Sequence, residues 1–536
     1  MDALIQFTKG VVPDIGARGA VAKGSAAAAG ISLALRERQN RVIRTVSGEH
    51  LRWTPWFQTE AWRRTGLVVV AVSYAIFFFR MVRTGFRSWF SQDDLLNLYY
   101  CWSRPALDLL RANVLFVNNY YRPAAELLYR GLYSLFGLNP VAFNAVRFAF
   151  CAANLAVLYI FVWRISRSRE AGAIAVLLGG FHVATESLFL DTGMIFDVLA
   201  FFFYYSALAL YVKCREAGRF PGTRLTAGIL VLNIFALNSK EIAVTFPVAL
   251  LLYELTIGSG YAKQPQWRLP AVWQKFRLIV LSGFVTLAFI VGKNSGAEAL
   301  SQLAGYHPTL SFSVYVDTYS RYAAAFTFLN PDGIRPWLVW ILAGCIGLAV
   351  LTRDRVLLWA SLFNVFAVFP VAFIPARAGF AFEVPLAGWL VYLAIVICRL
   401  RKRLIFGRDS LRAPSQLAVV AAIALLILNP QAGFMSKVMR PLVHEDQDLV
   451  RNTLESLRTI LPGELAGKKV LALRDPLRNP FGLGFLIQLS YNERGVTVDT
   501  ARLLSQQSQA IVPADYDYVV DYVDSKFVMV RAPGSK

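Results

Sequence analysis

Apolar residues dominate the chain from about residue 62 to residue 435, broken only by short polar connections. They form segments near 62–82, 140–163, 171–190, 193–212, 225–238, 242–257, 277–292, 336–351, 356–374, 384–398 and 416–435. Crossing the hydrocarbon core takes about 20 apolar residues, so the spacing predicts about eleven transmembrane helices in one membrane unit. Two longer connections, 85–135 and 293–335, are too polar to span but repeat apolar positions at helical spacing, as in Tyr315, Tyr319, Tyr322 and Phe326. Such faces suit helices lying in the membrane interface. After residue 436 the pattern changes to short β-type runs at 469–473, 496–498, 516–520 and 527–530, with a helical run at 481–491. This predicts a small α/β domain at the C-terminal end of an otherwise all-α polytopic membrane protein. Residues 1–61, Ala/Gly-rich and then basic, read as an N-terminal arm. The expected domains are therefore 1–61, 62–435 and 436–536.

Composition agrees with a membrane protein and excludes an ordinary soluble domain, since 56% of the residues are hydrophobic and 17% charged. Cysteines 101, 151, 214, 345 and 398 have neither CxxC nor Cys/His spacing, which points to neither a zinc site nor a disulfide framework. The net charge of +21 matters through its placement. Nearly the whole excess lies in the N-terminal arm and in 164–170, 213–224, 258–277, 352–355 and 399–412. The alternate connections are close to neutral: 85–135 has five basic and four acidic residues, and 293–335 three of each. By the positive-inside rule the arm is cytoplasmic and the tail after residue 435 exoplasmic. Basic residues split between loops give no continuous face for nucleic acid, so no nucleic-acid partner is expected.

Ionisable residues within apolar segments are costly and call for an explanation. On this topology they gather on the exoplasmic side. His182 and Glu186 are four residues apart and so on one face of a helix, Asp191 caps that helix, and Asp197 lies one turn into the next. Lys240-Glu241 and Arg377 with Glu383 occupy outer turns, while Asp93, Asp94, Tyr121, Arg122 and Glu126 belong to the first outer loop and Asp317 and Arg321 to the second long one. Taken singly these residues have ordinary readings: a helix–helix hydrogen-bond pair, an interfacial anchor, an acid at a helix N-terminus. Together, carboxylates and cations at the membrane surface suit an enzyme whose donor is an anionic lipid-linked sugar and whose acceptor is a hydroxyl. Guanidinium groups bind phosphate and stabilise leaving-group charge, and a carboxylate on the opposite face of the sugar takes the acceptor proton.

Asp93-Asp94, placed just after the first apolar segment, resembles the acidic pair in the first exoplasmic loop of GT-C glycosyltransferases, especially the protein O-mannosyltransferases. Three further segments resemble the transmembrane and tetratricopeptide-repeat mannosyltransferases: Tyr121-Arg122-Pro123; His182-Val183-Ala184-Thr185-Glu186 followed by Gly193; and Lys240-Glu241 leading to Thr245-Phe246-Pro247 and Leu251-Leu252-Tyr253-Glu254-Leu255. The chain departs from those relatives by one residue missing before Thr185, by Met194 where they carry Arg, by Asp197 one place late, and by the absence of the repeats.

The resemblance implies a GT-C fold and transfer with inversion from a polyprenyl-phosphate monosaccharide to a hydroxyl acceptor in protein, lipid or glycan. The reaction would take place on the exoplasmic face of a multi-pass protein of a bacterial inner (plasma) membrane. Asp93 is expected as general base, with Asp94 positioning the acceptor or sharing that role. Arg122, Lys240, Arg321 and Arg377 are expected at the donor phosphate, and Tyr121, His182, Glu186, Asp191 and Glu241 around the sugar or acceptor. No cofactor and no metal are expected, and the partners are the bilayer, the lipid-linked donor and the acceptor. A flippase for lipid-linked sugars would show internal repeats and a midplane charge cluster. A polymerase or ligase using undecaprenyl-diphosphate donors would favour a dominant late outer loop, and an exoplasmic scaffold leaves Asp93-Asp94 unexplained.

Overall fold

The structure is a computed structural model. It describes residues 85–116, 122–180, 187–258, 269–295, 307–327, 329–374, 383–405, 411–434 and 440–533, with Phe79, Arg83 and Arg408 besides. The chain divides into two units, Met1–Thr65 and Gly66–Lys536, and all described residues fall in the second. The expected arm at 1–61 and nearly all of the apolar segment at 62–82 lie outside them.

Three helices of the first long connection come first. They are α1 (Gln92–Ser103), α2 (Ala106–Leu115) and α3 (Pro123–Phe136). Ser91 starts α1 with a capping box: its side chain accepts from Asp94 N while the Asp94 carboxylate accepts from Ser91 N. Arg130 of α3 closes the other end, its guanidinium donating to the carbonyls of Cys101, Trp102 and Arg104.

The bundle follows with α4 (Pro140–Ser166), α5 (Arg169–Gly180), α6 (Ile195–Glu216), α7 (Thr223–Leu237), α8 (Phe246–Thr256) and α9 (Leu269–Asn294). It continues with α10 (Phe312–Thr327), α11 (Leu338–Leu351), α12 (Arg355–Phe366), α13 (Glu383–Leu404) and α14 (Arg412–Phe434). Among the described residues five helices are long and apolar enough to cross a membrane, Pro140–Ser166, Thr192–Glu216, Val272–Asn294, Arg355–Ala372 and Val384–Leu404; Thr223–Leu237 and Leu338–Leu351 are shorter apolar helices. Every apolar segment predicted from 140 onward contains helix. The segment read as one helix over 171–190 is described as α5 and a short helix at Ser187–Leu190. This is a multi-pass, largely helical membrane protein.

Charges mark both ends of the bundle. Arg215 at the end of α6 is buried against Glu254 at the end of α8 (2.7 Å), where Tyr211 also donates to that carboxylate, and Arg401 pairs with Glu170 (2.6 Å). Asp197 lies at the other end of α6, about 27 Å away at 1.5 Å rise per residue, close to the thickness of a hydrocarbon core. Between the two layers an apolar core of α4 to α8, α12 and α13 packs around Trp359, Tyr204, Tyr205 and Phe246.

The tail begins with α15 (Arg440–Ile460). It then forms β1 (Lys469–Ala472), α16 (Gly482–Tyr491), β2 (Thr497–Thr500), β3 (Tyr518–Val523) and β4 (Lys526–Arg531). Sheet order is β2-β1-β3-β4, with β1 parallel to both neighbours and β4 antiparallel at the edge. All four predicted strands and the helix between the first two are present. Beside a small cluster of its own around Leu471, Leu504 and Val519, the tail shares most of its core: Val450, Leu454, Leu483 and Leu486 pack in one cluster with Phe90, Leu95, Leu98 and Trp102 of the first connection.

Candidate active site

Asp94 is fully buried in the first turn of α1. Its Oδ2 accepts from Ser91 N at 2.8 Å, from Ser91 Oγ at 2.9 Å and from Thr192 Oγ1. Its Oδ1 lies 3.2 Å from Tyr129 Oη, which also donates to the Thr192 carbonyl at 2.7 Å. One phenolic hydrogen cannot serve both acceptors at full strength, and a proton on Asp94 resolves the competition. Burial works the same way, raising the Asp94 carboxyl above its ordinary value against the hydrogen bonds that lower it.

Asp191 faces Asp94 across Gly193, where an added Cβ would sit 3.4 Å from an oxygen of each carboxylate. It was expected to cap the helix before it. Instead its extended backbone and short side chain cap the turn that follows, Oδ1 accepting from Gly193 N at 3.0 Å. Burial, and then the charge of Asp94, push Asp191 up to about 7. Two carboxyls so placed titrate as a pair rather than singly.

Asp93, next to Asp94, points the other way round the helix and is exposed. Its charge still reaches Asp191. The three acids thus form one locality with divided environments: Asp94 buried and Asp191 half-buried, both with a raised proton affinity, and an open carboxylate beside them.

The cations lie one aromatic layer away. Tyr129 packs edge-on against Phe196 (ring centroids 5.8 Å apart), and the Arg122 guanidinium lies 5.0 Å from the same Phe196 ring. Arg122, at the start of α3, forks onto Glu241, with Nε to Oε1 at 3.2 Å and Nη2 to Oε2 at 3.0 Å. Burial alone would raise Glu241, but Arg122 and Lys240 hold it below its ordinary value. Lys240 Nζ pairs with Asp197 Oδ2 at 2.5 Å, and Lys293 of α9 feels the charges of Glu241 and Glu126. Arg122, Lys240, Asp191, Asp93, Asp94 and Glu241 therefore belong to one region.

Arg321 does not join them. It remains exposed on α10 beside Asp317 (3.3 Å), which also meets Arg335. Tyr121, His182, Glu186 and Arg377 lie outside the described residues. Among the described residues no group of three or more His, Cys, Asp and Glu side chains is disposed to hold a metal ion.

Four contributors escaped the sequence reading. Ser91 was legible as the first residue of a capping box, Ser91-x-x-Asp94. Arg147, a cation within an apolar segment, carried the usual warning of a polar role; it is buried in α4, donating to Asn144 Oδ1 (2.6 Å) and Phe189 O (3.0 Å). Tyr129 and Thr192 carry no pattern that separates them from ordinary interface residues.

No family model matches the chain, and no curated protein matches it. Among solved structures, ArnT from Cupriavidus metallidurans in the apo state is similar at 14% identity with a TM-score of 0.44, over 86% of this chain and 94% of that one.

Proposed function

We propose that this chain is an inverting GT-C glycosyltransferase that moves a monosaccharide from a polyprenyl-phosphate donor to a hydroxyl acceptor. The transfer takes place on the exoplasmic face of a bacterial plasma membrane. One observation carries the reading: an open carboxylate, Asp93, beside the facing acids Asp94 and Asp191, with Arg122 on the Phe196 ring and Lys240 paired to the adjoining Asp197.

In the step proposed, the acceptor oxygen attacks the anomeric carbon and the bond from that carbon to the phosphate oxygen breaks, leaving its electron pair on the polyprenyl phosphate. Asp93 takes the acceptor proton. Asp94 is buried and its two oxygens are engaged by Ser91, Thr192 and Tyr129, which suits it to holding the turn. Arg122 and Lys240 receive the developing phosphate charge. Both cations pair with carboxylates, so donor binding would loosen the Arg122–Glu241 and Lys240–Asp197 contacts. The step as written involves no metal ion. Charge asymmetry supports the exoplasmic side, and the ordered motifs favour a mannose-like sugar.

The test is Asp93→Asn in proteoliposomes supplied with polyprenyl-phosphate sugars. Transfer is expected to fall by at least about a thousandfold, within the range set by loss of a general base and its charge, with melting temperature and donor binding unchanged. Wild-type turnover in that variant would remove Asp93 from the mechanism.

A further inference from the structure

Gln447 is buried near the start of α15, and its carboxamide joins two segments far apart in the chain. Oε1 accepts from Trp89 N at 3.2 Å, and Nε2 donates to Leu190 O at 2.9 Å. Trp89 leads into Ser91 and the acidic pair of α1, while Leu190 immediately precedes Asp191. A single tail side chain therefore ties the strand of chain carrying Asp93 and Asp94 to the one carrying Asp191. Its neighbour Asp446 fastens the same turn, accepting from Gln92 N at 3.0 Å and Gln92 Nε2 at 2.5 Å. Gln92 Oε1 in turn accepts from Arg478 N of the tail at 2.6 Å.

We propose that Gln447 is a positioning residue for the Asp94–Asp191 pair, and that the tail completes the active centre by fixing the separation of these carboxylates; this rests on the catalytic reading above. The bridge needs one acceptor and one donor at a fixed span, which a carboxamide supplies and few other side chains do. Glu has the length and the acceptor but lacks the donor for Leu190 O when ionised. Asn falls one methylene short, and Met fills the space with neither group.

Gln447→Met and Gln447→Glu would be made in the full-length protein, with Asp93→Asn and Asp191→Asn alongside and Gln447→Met combined with Asp191→Asn. The turn that the pair holds carries the base Asp93, and displacing that group by about 1 Å costs on the order of a hundredfold in rate. The expected result is therefore a fall in kcat of about ten- to a hundredfold, with the donor KM within about twofold of wild type. In the Asp191→Asn background the further loss from Gln447→Met is expected to shrink, because the pair it positions is already dismantled.

Unchanged kcat in both Gln447 variants, with Asp93→Asn inactive, would overturn the positioning role and leave the proposed reaction standing. A loss that adds in full to that of Asp191→Asn, or that follows the loss of folded protein in both variants, assigns Gln447 a structural role and also overturns it. Full activity of Asp93→Asn and Asp191→Asn would bring down the catalytic reading, and the positioning role with it.

Discussion

Asp191 supplies the clearest pH signature. A carboxyl held near 7 in the fold and near 4 in an unfolded chain means that the folded state binds more protons than the unfolded state between those values. Stability then falls as pH rises through that window. The apparent melting temperature in detergent is expected to drop from about pH 4 to about pH 7, and Asp191→Asn to flatten the curve and raise its alkaline end. Asn keeps the Oδ1 acceptor for Gly193 N and removes the charge facing Asp94, so an unflattened curve would place the proton elsewhere. At this scale the acidic residues stand out in the sequence, because adjacent charges beside an apolar segment are conspicuous. The sequence carries no hint that Asp94 and Asp191 form a pair. That pairing depends on Gly193 and the Ser91 cap drawing together positions 97 residues apart, which no local spacing encodes.

The segments carrying those residues approach each other very closely. A Cβ on Gly85 would fall 1.7 Å from the Phe189 carbonyl oxygen, and the nearby Arg147 guanidinium donates to that same carbonyl at 3.0 Å. Gly85→Ala must push backbone apart, so a loss of about 1–3 kcal/mol is expected together with reduced transfer, read from melting temperature and turnover. A neutral Gly85→Ala would show that this contact does not hold the turn. The Arg122–Glu241 pair separates a structural from a chemical role. Arg122→Ala removes the forked partner of Glu241 and should destabilise. Adding Glu241→Gln should restore the melting temperature but not donor affinity, whereas restored affinity would remove Arg122 from the phosphate. Helices at this scale were legible from residue 140 onward because length and hydropathy dictate them. The role of each loop was less so: Arg321 stood behind Arg122 as a second candidate for the phosphate, and α10 keeps it with Asp317 and Arg335.

The molecule as a whole binds its tail to its acidic centre through a shared apolar core as well as through Gln447. Tyr99 of α1 stacks on Phe485 of α16 with centroids 4.4 Å apart, Tyr133 donates to Leu489 O at 2.6 Å, and Trp102 Nε1 donates to Asn492 Oδ1 at 2.9 Å. Strand periodicity revealed the tail's sheet, whose alternation is local, but not this contact, which arises between residues more than 350 positions apart. A core made jointly by α1, α3, α15 and α16 cannot lose one side and keep the other. Leu486 is fully buried in it, so Leu486→Ala should cost about 2–5 kcal/mol from lost transfer energy and the cavity left behind. The loss should appear on both sides of the interface. In limited proteolysis over a temperature ramp, cleavage within 92–136 and within 440–533 is expected to begin at the same temperature in wild type, and to move down together in Leu486→Ala. Cleavage confined to the tail, with 92–136 still protected and transfer intact, would mean that the tail unfolds independently and that the acidic centre keeps its geometry without it.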